Sequence, residues 1–389
     1  MWSGTFILLL LMNLLNGIAG MMTIPLVAKY ALFIEDNLTL ASTIAGLMSM
    51  VSLVICPFAG AVTDRFNRKR LLIVSNLGYG ACLILHACCS TIPALIAMRL
   101  FTGLFFSVCS VTNVAFCTSF IPKERTGEGL GYVALASVLA QALGPSIGLR
   151  LLKIGGYSGA FACAGIFALG CMAVVCAMSY RGETKPVGKK RKIRFGDLYA
   201  GEFTCFLLMT ALFSSCNGLV NTYLAIVAEE RAIANIGIFF TVYSAFMVIL
   251  RPLIGKLLDK RGIYFILIPS FVFAAAGMLL IGIGSSLAML LAASACKALG
   301  QGSGTPSMQA HCVKSMDKRR AGVAASTVMI GQNVGNAAAP IIGSFFVGSV
   351  GYEGMFCGFG GIMLAAGMIL IWIQYCMDRR RENKIRLEE

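Results

Sequence analysis

Apolar stretches of about twenty residues follow one another along nearly the whole chain, parted by short charged connections. A stretch of that length crosses the ~30 Å hydrocarbon core of a bilayer as an α-helix. Inside hydrocarbon every backbone N–H and C=O must be paired within the protein, so only helices and closed barrels can cross. Barrel strands run to about ten residues of alternating polarity. The stretches here are longer and do not alternate, so they predict helices. Twelve spans are expected, at 4–28, 38–62, 71–90, 93–119, 128–150, 157–179, 202–227, 235–258, 263–284, 287–311, 321–348 and 353–376. Composition agrees. Of 389 residues 58% are hydrophobic and 13% charged, against about 25% charged in a soluble domain. Such a chain has too little polar surface to face water, and its 43 glycines suit close helix packing in lipid. No basic segment precedes the first stretch, which is therefore read as a spanning helix and not a cleaved leader.

The net charge of +15 is distributed in a telling way. Connections 63–70, 120–128, 181–199, 256–262 and 314–320, with the tail 378–389, carry 25 of the 32 Lys and Arg. The opposite face carries Lys29, Arg150, Lys153 and Arg231, while Arg99, Arg251 and Lys297 fall within spans. The positive-inside rule then places both termini and the basic face in the cytoplasm, as a multi-pass protein of a plasma or inner membrane. Charge spread over six segments argues against nucleic acid as a partner. The run GKKRKIR at 188–194 reads as a topology-setting linker that can also meet anionic headgroups.

An internal repeat is visible. CPFAGAVTDRFN at 56–67 matches RPLIGKLLDKRG at 251–262, an offset of 195 residues. At the same offset Arg125 falls on Arg320, Gly127 on Gly322 and Pro145 on Pro340. The expected organisation is a six-helix bundle over 1–180, a basic cytoplasmic linker over 181–200, a second six-helix bundle over 201–377 and a tail over 378–389. Repeats of this kind can rock against each other to give alternating access.

Three motifs sharpen the reading. In the connection GAVTDRFNRKR, Gly60 would permit close helix packing, and Asp64 sits among Arg65, Arg68, Lys69 and Arg70 where charge-assisted hydrogen bonds can latch one conformation. Gly255, Asp259 and Lys260 repeat the pattern. On the fourth span Arg99 precedes Gly103 by four residues. On the fifth, Gly144, Pro145 and Gly148 make a kinked helix with a smooth face. Together these resemble the major facilitator superfamily, whose signature loop is GxxxDRxGRR. Asn67 replaces the glycine of that pattern, while Gly60, Asp64, Arg65, Arg68 and Lys69 fit it. The resemblance covers essentially the whole chain. It implies two six-helix bundles around one mid-membrane cavity, with Asp64 and Arg65 governing conformational switching. Arg99 and Gly103 resemble the family's RxxxG pattern, whose arginine is implicated in proton coupling. Gly144, Pro145 and Gly148 resemble the GxxxGPxxGG pattern of its antiporters and favour export, although Ala140 and Leu149 depart from it.

An ionisable side chain inside a span costs ~2.5–3.5 kcal/mol on insertion scales and is read first as functional. Arg99 and Lys297 are therefore expected to face the cavity, to hold an anionic substrate or to anchor waters and backbone carbonyls, with the fixing of helix packing through hydrogen bonds as the alternative. None of the 17 Asp and Glu lies in the middle of a span, which weakens a cationic-drug/proton exchange. Proton coupling would have to use Glu202, Glu229 or Glu230, a perturbed base, or the substrate's own proton. Asn13 and Asn16 share one face of the first span, with Asn217 and Asn221 in a similar stripe on the seventh. With Asn113, Gln141, Gln301, Gln332 and Asn336 they offer hydrogen bonds to a neutral or weakly anionic ligand, or glue between helices.

The function expected is gradient-driven export of amphipathic or anionic small molecules, with uptake of a metabolite as the alternative and a non-transporting receptor or scaffold third. The expected partners are a small-molecule substrate, membrane lipid and a coupling ion, proton or sodium, with the chain acting as a monomer. No cofactor or metal is expected. The 15 cysteines are scattered without a CxxC pair, and the only histidines are His86 and His311. No GxxxxGK[ST] loop occurs, and no cluster of His, Asp or Cys at mid-span suggests an enzyme.

Overall fold

The structure, a computed structural model, describes residues 4–121, 126–180, 201–316 and 321–388. The connecting segment 181–200 lies outside the described residues, as do Arg125, Arg320 and the side chains of Asp64 and Asp259. Among the described residues there are ten α-helical runs and no strand. They are α1 Gly4–Ile34, α2 Leu38–Arg65, α3 Arg68–His86, α4 Ile92–Thr118, α5 Thr126–Ala177, α6 Thr204–Glu230, α7 Gly237–Arg261, α8 Tyr264–Ile283, α9 Leu287–Lys314 and α10 Ala321–Glu388.

Two of these runs are double. The 52 residues of α5 would reach roughly 78 Å as one helix, far beyond a bilayer core. Gly156, at φ 65° and ψ −169°, breaks it into two arms. In α10 the break is Gly351, at φ 68° and ψ −179°. A side chain is essentially excluded from this backbone region, so glycine is required at both places. The two glycines are 195 residues apart, the same offset as the repeated loops. Around them GYSGAF at 156–161 matches GYEGMF at 351–356, and both closing phenylalanines are fully buried. Counting the arms separately gives twelve spans, in the order predicted. The expected connections near 151–156 and 349–352 are single-glycine breaks instead of polar loops, and the expected tail from 378 continues the last helix through Glu388.

Seven runs are long and apolar enough to cross a membrane, those containing 131–177 and 327–380 with length for two passages. The run on α7 counts as a shorter apolar helix, Gly237–Arg251, before its charged end, while α3 and α9 carry buried polar residues, among them Asn76, His86, Ser294 and Lys297. Outward-facing residues are apolar: Phe101, Leu104, Ile166, Ile369 and Trp372 are all exposed. Apolar surface on that scale would be untenable in water and is ordinary in lipid.

The chain divides into two compact units, Met1–Lys192 with Asn221–Ala245, and Ile193–Val220 with Phe246–Glu389. In the first, α1 packs along α5, α3 lies against α4 and α5, and α2 lies against α4. Its core joins Leu26, Val27, Tyr30, Ile44, Leu95 and Phe161 at one end to Leu9, Met12, Leu72, Phe116 and Val175 at the other. In the second, α8 packs on α9 and α10.

The basic connection after α2 shows why its residues are needed. Asn67 caps α3, its side-chain oxygen accepting from the Lys69 and Arg70 amides at 3.0 and 3.2 Å. Arg68 donates to the Ala115 carbonyl and the Ser119 hydroxyl, both at 2.9 Å, at the C-terminal end of α4. Lys69 donates to the Cys176 and Met178 carbonyls at the end of α5. Cations at helix C-termini satisfy carbonyls that have no partner within the helix and oppose the helix dipole.

Candidate functional site

Polar side chains inside a span must find partners within the protein. In the first unit they do so through two pairs of amides. Asn13 is buried on α1 and donates to the Leu9 carbonyl at 2.8 Å and to the Cys117 sulfur at 3.3 Å. Asn113 of α4 donates to the Asn13 side-chain oxygen at 2.8 Å. One turn along α1, Asn16 donates to the side-chain oxygen of Asn76 on α3 at 2.8 Å and to the Cys109 sulfur at 3.1 Å. The sequence-predicted residues Asn13 and Asn113 thus meet each other with Cys117, while Asn16, one turn along, pairs with Asn76 and Cys109. Asn76, Cys109 and Cys117 have no signal in the sequence beyond lying in apolar spans. Gln141 lies partly buried on the first arm of α5.

Arg99 is buried, and its guanidinium is spent on α2. It donates to the Ile44 and Ala45 carbonyls at 3.4 and 3.2 Å and reaches the Met48 sulfur at 3.6 Å. Gly103, one turn on, brings α4 to where a Cβ would lie 2.9 Å from Val51 Cβ. Arginine and glycine together clamp α4 to α2, supported by hydroxyl pairs Ser52–Ser107 at 2.8 Å and Thr63–Thr112 at 2.9 Å.

The small face of α5 meets α1. A Cβ at Gly144 would stand 2.5 Å from Met21 Cβ, and one at Gly148 2.8 Å from the Met22 carbonyl. Pro145 lies between them inside the helix. Ser146 donates to the Gly237 carbonyl at 2.8 Å where α7 begins. Lys29 of α1 forms an ion pair with Glu229 near the end of α6.

In the second unit the buried cation is Lys297 of α9. Its ammonium donates to the Asn217 side-chain oxygen of α6 at 3.0 Å. Asn217 donates to the Asn336 oxygen of α10 at 3.4 Å. Gly218 permits the approach, since a Cβ there would lie 3.1 Å from the Asn336 carbonyl. Gln301, one turn beyond Lys297, keeps a buried side-chain oxygen with no hydrogen-bond partner among the described residues. Three sequence-predicted residues thus meet at one point, with a fourth beside them. Asn221 and Gln332 are partly buried.

The switch residues are differently disposed. Among the described residues, a Cβ at Gly60 or Gly255 would meet nothing within 4 Å. Arg65 and Lys260 are exposed at the ends of their helices. No group of three or more metal-ligating side chains occurs among the described residues.

A family model described as Major Facilitator Superfamily matches residues 9–232 and 206–389. An uncharacterized MFS-type transporter of Methanocaldococcus jannaschii is 24% identical over 347 residues, covering 85% of this chain and 88% of the relative. Multidrug resistance protein MdtG of Escherichia coli is 24% identical over 349 residues, covering 86% and 83%. Among solved structures, the nucleoside transporter NupG matches at TM-score 0.75 with 10% identity, over 96% of this chain and 99% of that one. A POT family transporter in complex with 5-aminolevulinic acid matches at TM-score 0.79 with 14% identity, over 95% and 96%.

Proposed function

The chain belongs to the Major Facilitator Superfamily, and on that premise we propose that it exports amphipathic or anionic small molecules by alternating access, driven by an ion gradient. It is a multi-pass membrane transporter and not an enzyme. Export is favoured by the Gly144, Pro145 and Gly148 face and by the multidrug resistance protein among its relatives. The 25 basic residues on one set of connections support cytoplasmic termini in a plasma or inner membrane.

The observation that carries the substrate class is Lys297, held by Asn217 with Asn336 and Gln301 alongside. A buried ammonium amid neutral amides attracts an anion, and the amides can share an oxygen-rich ligand with it. The amide core of Asn13, Asn16 and Asn113 offers similar neutral hydrogen bonding in the first unit. Asp64 and Arg65, with Asp259 and Lys260, serve conformational switching at the basic face.

The test compares fluorescent anionic and neutral amphipaths in inverted membrane vesicles. In Lys297→Gln the ratio of anionic to neutral transport should fall about tenfold, the equivalent of ~1.4 kcal/mol. Equal losses for both classes would remove the charge-recognition role.

A further inference from the structure

His86 is the last residue of α3 and is fully buried. Its Nδ1 lies 2.7 Å from the Cys82 carbonyl oxygen, one turn earlier. A carbonyl only accepts, so Nδ1 carries the hydrogen and Nε2 is left as a bare lone pair. That Nε2 is shut off from solvent and has no hydrogen-bond partner among the described residues. The ring leans on Phe161 of α5 with centroids 5.3 Å apart, and Phe161 in turn meets Tyr30 of α1. Two turns earlier on the same face of α3, the Tyr79 hydroxyl is also buried without a hydrogen-bond partner, 3.4 Å from where a Cβ on Gly20 would lie.

The cation of the neighbouring helix α4 is the buried Arg99. From α1 and α5 the cluster receives Tyr30 and Tyr157, tilted at 38° with centroids 4.8 Å apart, and α3 adds Cys82. The helices α1, α3 and α4 contain no Asp or Glu and α5 only Glu128 at its start, while Glu229 of α6 is paired with Lys29 of α1. A neutral imidazole with an open lone pair is a base. As packing alone the arrangement is poor, because leaving a buried polar atom unpaired costs about 1–3 kcal/mol.

We propose that His86 Nε2 is a proton-binding site and that its protonation couples the proton gradient to transport, an inference that rests on the secondary-transport reading above. The step is proton transfer alone: hydronium gives its proton to Nε2, and imidazolium and water result. In the packing described, the imidazolium would stand in a space closed to water, stripped of its hydration and without an acceptor for its new hydrogen among the described residues, with the cation Arg99 on the neighbouring helix. Proton binding and this packing therefore oppose each other. Protonation favours a conformation in which the His86 end of α3 is hydrated, and deprotonation favours the buried one. That differential is what coupling requires.

Histidine occurs only at 86 and 311, so His311→Asn leaves a one-histidine chain for nitrogen-labelled NMR in lipid nanodiscs. At about pH 8 the ring should show a protonated Nδ1 and a bare Nε2, and Nε2 should take up a proton reversibly as the pH falls to about 5. A ring that keeps its bare nitrogen throughout, or carries its hydrogen on Nε2, overturns the proposal. The coupling is read in proteoliposomes with carboxyfluorescein. In His86→Phe, which keeps a ring against Phe161, proton-driven movement should fall at least about tenfold while equal-concentration exchange persists. Undiminished proton-driven movement in that variant overturns the coupling role and leaves the transport reading standing. If unaltered protein moves carboxyfluorescein in neither mode, the anionic-substrate reading loses support, and the NMR result alone decides the proton site.

Discussion

Arg99 and Lys297 are both buried cations, yet they touch different things, and different consequences follow. Arg99 donates to two carbonyls of α2. Removing it deprives one helix–helix contact of charge-assisted hydrogen bonds, each worth about 1.5–3 kcal/mol. Arg99→Ala should lower the thermal stability of the detergent-solubilised protein and reduce transport of anionic and neutral compounds alike. Arg99→Lys should recover little, because an ammonium lacks the planar fork that reaches both carbonyls. A selective loss of anion transport in Arg99→Ala, with stability unchanged, would contradict the clamp. Asn67 gives a second residue-scale expectation. It stands where the signature loop has glycine, and its side chain caps α3, whereas the repeat-related Gly262 adopts φ 76°. Asn67→Ala should cost about 1 kcal/mol and Asn67→Gly only a few tenths, read as shifts in unfolding temperature. The sequence places Arg99 within a span and Asn13 beside Asn16 on one face. Which carbonyl, thiol or amide each would meet depends on neighbouring helices and is not written in local spacing. Asn76 escaped notice for the same reason: one amide on the polar face of α3 looks like any other.

At the scale of the helix, the repeat carries the argument. Gly156 and Gly351 break their long helices at equivalent points, in a backbone region costing a side chain of order 1–3 kcal/mol. Gly156→Ala and Gly351→Ala should each destabilise by about that much, read as a lower unfolding temperature. A neutral result at either would show that the break relaxes into continuous helix. Gly148→Leu tests the seam between α5 and α1, where the Met22 backbone leaves no room for a side chain. Overpacking of about 1–3 kcal/mol is expected, read as weaker expression and a lower unfolding temperature. The twelve spans were legible because hydrophobic length fixes a crossing helix whatever it packs against. The breaks within α5 and α10 fall where the predicted spans divide, at 151–156 and 349–352, but that each is made by a single glycine inside a continuing helix was not legible, because such a connection leaves no polar gap in the pattern. GYSGAF and GYEGMF, read side by side at the offset already set by the loops, would have located both. The spans on α3 and α9 show the converse. Their buried polar residues, Asn76, His86, Ser294 and Lys297, lower the hydropathy while serving the interior.

For the whole molecule, the charge asymmetry and the repeated acidic-basic loop lead to one expectation about switching. Asp64→Asn should leave membrane insertion intact and slow transport at least about tenfold, as loss of an interaction needed for turnover would. Normal turnover in that variant would remove the latch. Orientation is open to direct inspection, since the basic segment 181–199 should be cut by protease only from the cytoplasmic side. Both expectations serve the central claim that this chain moves small molecules by drawing on an ion gradient. The most direct measurement is accumulation of a panel of fluorescent amphipathic anions by inverted vesicles holding the protein, under an imposed proton gradient. At least one anion should accumulate and be released when a protonophore collapses the gradient. Vesicles that accumulate none of the panel, or that continue undisturbed after the collapse, would contradict it.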